Sequence, residues 1–326
     1  MIKIGIGPSS SHTMGPWIAA EMFLKRINHQ ANINEVASIK IHLYGSLAKT
    51  GKGHGTDVAL LMGLSGHNFI TIDTNSIGEK FNEIISQRKI QLGGIKTLDF
   101  DYETDLLFHR EINMPQHPNT MIFEAILTNG NKIERNYYSV GGGFVATDEN
   151  NTINKNAIST PYPCHVPGSI ISFCEQLNVS VSDLVYLNEE AWRTNDEIRK
   201  EALHIWEEIK DCIWRGTHKT GILPGGLQVK RRAAEINSKL IGGRIFENKE
   251  SWINAIKNES HDFTLVNKWI SCFALAVNEE NASFGRIITA PTNGAAGVIP
   301  AVLMYAYCFL EDFDEEKVIR FILTAG

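Results

Sequence analysis

The sequence predicts an α+β domain followed by an all-α domain. With 326 residues, the chain is longer than a single hydrophobic core usually supports, which favours two domains. Residues 1–150 contain many short strand-like segments and few helical ones, a mixture typical of a mixed, largely antiparallel sheet. Residues 167–326 contain long apolar patterns with the helical period instead. The polar, proline-containing stretch 151–166 between them is the predicted linker.

The first domain is expected to join short strands with a few helices. Ile39, Ile41 and Leu43 alternate with Lys40, His42 and Tyr44, which predicts a half-buried strand. Further strands are predicted over 69–72, 106–109, 121–127, 133–138 and 144–146. Helices are predicted over 17–27 and 77–86, and an apolar run covers 58–64.

The second domain shows mainly helical periodicity. Helices are predicted over 170–178, 182–194, 196–215, 263–281 and 298–310. The 196–215 segment places five apolar side chains on one helix face: Ile198, Ala202, Ile205, Ile209 and Ile213. One exposed and one buried face are typical of a helix packed on a globular core.

Charge and hydropathy exclude several classes of partner. The formal net charge is −6 and no block of like charge stands out, which argues against nucleic acid. The short basic cluster Lys230–Arg231–Arg232 is interpreted as a solvated helix start or an anion contact. The sequence has no apolar run of membrane-spanning length and begins without a signal-like segment. A cytoplasmic protein with no membrane partner is therefore expected.

The five cysteines do not form a recognisable metal or disulfide pattern. Cys164, Cys174, Cys212, Cys272 and Cys308 are scattered, without a C-x-x-C pair. Their odd number argues against a disulfide framework. Cys212 and Cys272 fall within apolar helical patterns and are predicted to be small buried side chains.

A serine-rich loop near the start of the chain is the first candidate site. Ser9, Ser10, Ser11, His12 and Thr13 lie between glycines, just before a helix whose first turn contains Pro16. One hydroxyl is enough to cap a helix, so three consecutive serines followed by His-Thr favour an anion site over a plain cap.

A glycine-rich loop with a histidine is the second candidate. In the segment 51–55, three glycines let the backbone approach a ligand closely, and Lys52 and His54 add a cation and a titratable group. The spacing is not that of the phosphate-binding loop G-x-x-x-x-G-K-[ST]. Asn119, in the turn His117-Pro118-Asn119-Thr120 before a strand, is a further candidate, although this segment is equally compatible with a simple turn.

The third candidate is the bend at Pro291, Thr292, Asn293 and Gly294. Two β-branched residues run into this bend, and an apolar helical run follows it. The pattern predicts a hydroxyl and an amide presented before a helix N-terminus, where a carboxylate is a suitable guest. An ordinary turn before a core helix is the alternative interpretation.

Six motifs together resemble the bacterial iron–sulfur L-serine dehydratases, in the order found in that family. They are GIGPSSSHTMGP, YGSLAKTGKGHGTD, YYSVGGGF, GILPGGLQVKRRA, LAVNEENASFGR and TAPTNGAAGVIPA. The resemblance implies a small N-terminal β-type domain over 1–150 and a helical catalytic α-type domain over 167–326. It also implies conversion of L-serine to pyruvate and ammonia with a [4Fe–4S] cluster that acts as a Lewis acid on the substrate hydroxyl.

Carried over by position, the resemblance makes His54 and His12 the candidates for acid/base catalysis. Substrate contacts are implied for the serine-rich loop and the bend, with Lys52 and Asn119 as further candidates: Ser9, Ser10, Ser11, Thr13, Thr292, Asn293 and Gly294. A homodimer is expected for the complete enzyme.

The sequence departs from this family in its cysteines. The family's cluster ligands lie near the C-terminus, and none of the five cysteines here corresponds to them, so ligands are expected beyond Gly326. The resemblance therefore implies a chain that is inactive alone. A C-terminally truncated fragment or frameshifted product is favoured, and the alternative is one subunit of a split enzyme whose cluster ligands a second polypeptide carries.

Two other functions are compatible with parts of the sequence. A pyridoxal-phosphate dehydratase would catalyse the same net reaction with a Schiff-base lysine and a phosphate loop. A non-catalytic amino-acid-binding module would use residues 1–150 without turnover, because the family's β domain also resembles a regulatory serine- or anion-binding domain.

Overall fold

The computed structural model describes residues 2–149, 159–166, 168–225, 227–289 and 293–326. Residues 151–158, half of the predicted linker 151–166, lie outside the described residues, as do Pro291 and Thr292 of the predicted bend. Within the described ranges, no helix is long and apolar enough to span a membrane.

A five-stranded sheet organises the first half of the chain. Its strands are β2 (Val36–Tyr44), β5 (Leu106–His109), β6 (Thr120–Leu127), β7 (Lys132–Gly141) and β8 (Phe144–Thr147). The spatial order is β5-β2-β6-β7-β8, and only the β2–β5 pair is parallel. Ile41 and Phe123 are register partners and both are fully buried, as the predicted alternation requires. The prediction of a mixed, largely antiparallel sheet is confirmed.

Five α-helices belong to the described part of this half of the chain. They are α1 (Gly15–Gln30), α2 (Gly45–Thr50), α3 (Thr56–Leu64), α4 (Ile77–Gln87) and α5 (Tyr102–Asp105). A hydrophobic core between sheet and helices includes Trp17, Phe23 and Phe123, all fully buried. The Trp17 indole N–H donates to the His67 carbonyl at 2.8 Å, so the largest side chain in this core has its polar group satisfied.

Two predictions for this half fail at short segments. The expected strand over 69–72 is wrong, because Asn68 turns the backbone there: its side chain accepts from Ile70 N–H and its carbonyl from Ile72 N–H. An additional antiparallel hairpin, β3 (Lys89–Leu92) and β4 (Lys96–Asp99), was not expected from the sequence.

The second half is helical and has its own core. Its helices are α6 (Ser169–Leu177), α7 (Val181–Glu189), α8 (Asn195–His218), α9 (Ala233–Leu240), α10 (Lys249–Lys257), α11 (Phe263–Ala282), α12 (Val298–Phe309) and α13 (Glu315–Ala325). Thr194 and Glu197 form a capping box that begins α8, whose predicted apolar face is buried. Trp252, Trp269 and Phe273 pack at the centre of this core.

A two-stranded sheet joins the two halves. Strand β1 (Lys3–Ile6) pairs antiparallel with β9 (Arg286–Thr289), and Lys3 is the register partner of Thr289. Ile4 therefore packs against the helical core, whereas Ile6 belongs to the core of the first half. The prediction of a purely helical second half is wrong at β9, because a four-residue strand is too short for its periodicity to distinguish it from a loop.

Candidate active site

The serine-histidine loop between β1 and α1 is folded as one π-helical turn, Ser10–Met14. The Ser9 hydroxyl caps this turn by accepting from His12 N–H at 3.1 Å. Thr13 Oγ1 accepts from Ser9 N–H at 3.1 Å and donates to the His54 carbonyl at 2.7 Å. Ser9 and Thr13 therefore shape the loop and fasten it to the glycine-rich loop. Ser10 is buried in the turn, where its carbonyl accepts from Gly15 N–H.

His12 lies between two hydroxyl groups. Its Nδ1 is 2.8 Å from Ser11 Oγ, and its Nε2 is 2.9 Å from Ser46 Oγ. Burial lowers the pKa of His12 below its ordinary value, and His54 lowers this pKa further, whereas a hydrogen bond with the Ser46 backbone raises it. The neutral imidazole is thus favoured near pH 7, and a neutral ring nitrogen can accept a proton.

His54 is an exposed side chain whose ring centroid lies 5.1 Å from that of His12. Its Nδ1 is 3.0 Å from the Thr50 carbonyl oxygen. Because a carbonyl only accepts, this contact requires the proton on Nδ1 and leaves the lone pair of the neutral ring on Nε2. The two predicted catalytic histidines are therefore neighbours, 42 positions apart in the sequence.

Asn119 is connected to the serine-histidine loop through Ser139. Its Nδ2 donates to the Ser139 carbonyl at 3.1 Å, and the Ser139 hydroxyl donates to the Ser11 carbonyl at 2.7 Å. Asn119 Oδ1 is buried and has no hydrogen-bond partner among the described residues. A Cβ added at Gly15 would lie 2.0 Å from Ser139 Oγ, so the first residue of α1 must be glycine for β7 to approach.

Lys52 lies on the exposed side of the glycine-rich loop. Its ammonium nitrogen is 4.8 Å from the centroid of the Tyr102 ring and 5.1 Å from that of Phe108. The Tyr102 hydroxyl in turn donates to Asp57 Oδ2 at 2.6 Å. Tyr102 therefore contacts both ends of the loop that carries His54.

The bend contributes Asn293, a buried side chain in the short 3₁₀ turn Asn293–Ala295. Its carbonyl accepts from Asn281 Nδ2 at 3.3 Å. Both polar atoms of the Asn293 side chain, and Oδ1 of Asn281, are buried without a hydrogen-bond partner among the described residues. Unsatisfied buried amide groups cost about 1–3 kcal/mol each, so such a cluster favours a ligand. Gly294 is exposed beside it, and Thr292 is outside the described residues.

The two halves of the chain meet where these loops lie. Gly7 N–H donates to the Gly285 carbonyl at 3.2 Å, and a Cβ added at Gly7 would lie 1.9 Å from the Asn281 carbonyl oxygen. Phe284 packs its ring on Gly55, where an added Cβ would lie 2.1 Å from the ring. The segment 281–285 therefore contacts the chain beside both histidine-bearing loops.

Sequence reasoning missed Ser46, Ser139, Asn281 and Phe284. Each lies within one of the six motifs, so motif membership was the available signal. Their contacts with the candidate residues depend on packing between segments distant in sequence, which local patterns do not encode.

For the basic cluster, interpreted as a solvated helix start or an anion contact, the structure separates the residues: Lys230 and Arg232 are exposed, whereas Arg231 is not. Arg231 is buried, and its Nη1 donates to Glu280 Oε1 at 2.8 Å. Glu280 also contacts Arg215 Nε at 3.5 Å, and Arg215 donates to the Arg286 carbonyl at 2.7 Å. These charges stabilise the start of β9 instead of facing solvent.

The described residues do not supply ligands for an iron–sulfur cluster. They contain no group of three His, Cys, Asp or Glu side chains that could hold a metal ion. Cys212, Cys272 and Cys308 are buried, and burial raises the pKa of Cys272 and of Cys308 to about 12. Because thiolates are the metal ligands, protonated buried thiols do not fit a cluster.

A cavity of about 480 Å³ lies elsewhere, at the C-terminal end of α1 against β7. Arg26 and Arg135 line it, and both contact Glu149 Oε1, at 2.9 and 3.5 Å. None of the predicted site residues lines this cavity. The candidate site is therefore defined by converging loops and buried amide groups, independently of this cavity.

Family comparisons match both halves of the chain. Residues 1–150 match the family described as serine dehydratase beta chain, and residues 176–326 match the family described as serine dehydratase alpha chain. The chain thus combines regions that match both the beta chain and the alpha chain of serine dehydratases.

Individual relatives agree. The chain is 41% identical to an L-serine dehydratase of Streptomyces coelicolor, over 100% of this chain and 69% of the relative. It is 37% identical to L-serine dehydratase 1 of Escherichia coli, again over 100% of this chain and 69% of the relative. An L-serine dehydratase of Helicobacter pylori is 32% identical over the same shares. The chain belongs to the L-serine dehydratase family.

Proposed function

We propose that this protein is an L-serine ammonia-lyase that converts L-serine to pyruvate and ammonia. The observation that supports the proposal is that His12 and His54 are neighbours and that Asn119 is connected to Ser11 through Ser139, in a chain of the L-serine dehydratase family. In this reaction a base removes the Cα proton and the β-hydroxyl leaves as water. The resulting aminoacrylate tautomerises and takes up water, and pyruvate and ammonia are released.

His54 and His12 carry the acid/base work in this proposal. Their imidazole rings are neighbours. The contact of His54 Nδ1 with the Thr50 carbonyl leaves His54 Nε2 able to accept the Cα proton. His12, held by Ser11 and Ser46, is the second proton carrier and the alternative base.

The substrate's carboxylate and ammonium groups are assigned to the amide-bearing residues. The side chains of Asn293 and Asn119 each offer an amide group whose buried oxygen has no partner within the described part of the chain. Such an oxygen suits an ammonium, and the Asn293 NH₂ suits a carboxylate. Lys52 supplies positive charge, Ser9, Ser10, Ser11 and Thr13 form the loop wall, and Gly294 leaves space beside Asn293. The substrate contact proposed for Thr292 rests on the motif resemblance alone.

The domain division, the cofactor and the oligomer are also proposals. Two separate hydrophobic cores support domains over 1–150 and 167–326 with a linker at 151–166. A metal cofactor is suggested by the family, and the [4Fe–4S] cluster rests on the motif resemblance. The described residues offer no ligands for that cluster. Light scattering, which measures the molar mass of the purified protein in solution, tests the proposed homodimer.

Replacing Asn293 with Ala tests the site. We expect serine binding, measured by calorimetry, to weaken about 10- to 100-fold, since a hydrogen bond to a charged group contributes roughly 1.5–3 kcal/mol. The thermal stability of the ligand-free chain should stay equal or rise, because the substitution removes two unsatisfied polar atoms.

Asn195→Ala is the matched control, since Asn195 is an exposed asparagine at the start of α8. If Asn293 had a purely structural role, its replacement would instead lower stability and leave serine affinity unchanged.

Pyruvate release is followed in parallel by a coupled lactate dehydrogenase assay, with protein prepared anaerobically with iron and sulfide. Serine binding without pyruvate release, in a chain that also carries the family's cluster cysteines, would favour the non-catalytic binding module. The absence of both binding and release in that chain would refute the proposal.

A further inference from the structure

Phe284 adopts a backbone conformation that is unusual for its residue type. Its φ is +58°, in the left-handed region, where a side chain with a Cβ is disfavoured. The residue follows Ser283, the C-terminal cap of α11, at a position usually occupied by glycine or asparagine. Strained residues of this kind cluster at functional sites when the surrounding structure holds them in place.

The ring of Phe284 explains what holds the strained residue. Although it follows the helical half's α11, Phe284 packs against the hydrophobic core of the first half. Its Cζ would lie 2.1 Å from a Cβ at Gly55, whose own φ is +63°. Phe284 and Gly55 therefore fit each other only because Gly55 has no side chain.

Gly55 lies between the two residues that connect the histidine loops. On one side, the His54 carbonyl accepts from Thr13 at 2.7 Å. On the other side, Thr56 Oγ1 donates to the His12 carbonyl at 2.5 Å. A displacement of Gly55 would therefore change both hydrogen bonds that connect the loop of His12 with the loop of His54, and with them the separation of the two imidazole rings.

We propose that Phe284 is a positioning residue, by which the helical half holds the His54 loop against His12. This inference rests on the proposed function only in treating the two histidines as the acid/base pair. The contact does not touch substrate, so its effect is read on the histidines themselves.

The test follows the imidazole of His12 by NMR in the full chain labelled with ¹⁵N. The loss of one signal in His12→Gln assigns the resonance. Burial and the neighbouring His54 lower the pKa of His12 in the native arrangement. In Phe284→Gly and Phe284→Leu we expect the His12 titration midpoint to move upward, because both causes weaken when the loops separate.

Arg88→Gly is the matched control. Arg88 also has a left-handed φ, +52°, at the end of α4, but its side chain is exposed and far in sequence from either loop. This variant relieves the same kind of strain and should leave the His12 midpoint unchanged. If Phe284→Gly does not fold, Phe284→Leu decides, since its smaller side chain still opens a gap at Gly55.

A double-mutant cycle with Gly55→Ala tests the contact directly. In the native background the added Cβ collides with the Phe284 ring, and the His12 midpoint should shift. In the Phe284→Gly background the same substitution should have a much smaller effect, since the strain of alanine at a positive φ is common to both backgrounds. Equal effects in both backgrounds, or an unchanged His12 midpoint in both Phe284 variants, would overturn the proposal. Serine binding is measured separately, so loss of the proposed function would not be mistaken for loss of positioning.

Discussion

Replacing Arg231 with Met should destabilise the helical half strongly. Arg231 Nη1 lies 2.8 Å from Glu280 Oε1, and the two side chains are only 3% and 2% exposed. Methionine keeps much of the length of arginine but removes the charge, which leaves the Glu280 carboxylate buried with Arg215 Nε at 3.5 Å. Removing one partner of a buried ion pair costs about 3–5 kcal/mol. That is a large fraction of the roughly 5–15 kcal/mol that stabilises a typical domain.

The loss should extend beyond the ion pair itself. The Glu280 carbonyl accepts from Gly285 N–H at 2.8 Å, and Gly285 in turn accepts from Gly7 N–H. The network therefore lies at the corner that leads into β9, which pairs with β1. Urea unfolding followed by far-UV circular dichroism and tryptophan fluorescence measures the change, because Trp252 and Trp269 are buried in the same core.

An exposed pair provides the control for this measurement. Lys239 and Glu235 are 74% and 69% exposed, so Glu235→Gln should change the free energy of unfolding by less than about 0.5 kcal/mol. The double variant Arg231→Met with Glu280→Leu should recover much of the loss, because no buried charge is left unpaired. If Arg231→Met cost no more than Glu235→Gln, the burial of this charge would not govern stability and the reasoning would fail.

Two further predictions concern pH and packing. Lowering the pH from about 7.5 to 5 should reduce the free energy of unfolding. Burial sets the folded pKa of His12 below its ordinary 6.5, so the unfolded chain binds more protons than the folded chain in this range. The stability that the neutral His12 contributes is therefore lost as the pH falls through 6.5. His12→Gln should reduce that dependence only in part, since the pKa values of His42, His67 and His117 are also lowered, and an identical pH dependence would contradict the prediction. Gly216→Ala should destabilise by about 1–3 kcal/mol, because the added Cβ would lie 2.4 Å from the Ala276 carbonyl oxygen. Gly78→Ala, with nothing within 4 Å, should be neutral or stabilising by up to about 1 kcal/mol, and equal melting temperatures for the two variants would refute the packing argument.

The long periodic elements were predictable from sequence. The predicted helix 196–215 corresponds to Asn195–His218, and the predicted helix 263–281 corresponds to Phe263–Ala282. In both, burial follows the intrinsic repeat of the backbone, so local pattern and tertiary environment agree. Segments of about four residues were less reliable: the 69–72 prediction failed at Asn68, and the hairpin β3–β4 was missed.

For the candidate site, the sequence identified the loops but not how they meet. The serine-rich and glycine-rich loops were singled out by composition, and the structure places His12 beside His54. Ser46 and Ser139 were not singled out, because a single serine has no distinguishing pattern until a partner is close to it. The catalytic and substrate-binding roles of all these residues stay predictions until the binding and turnover measurements are made.

The sequence by itself determined the periodic elements, the two-part organisation and, through its motifs, the family. Only the tertiary structure decided that β1 and β9 pair, with Lys3 and Thr289 lying 286 residues apart. Strand pairing depends on hydrogen bonds between backbones, which all residues share, so a short strand does not specify its distant partner. The same applies to Phe284 and Gly55, whose fit requires one ring and one missing side chain that no local pattern connects.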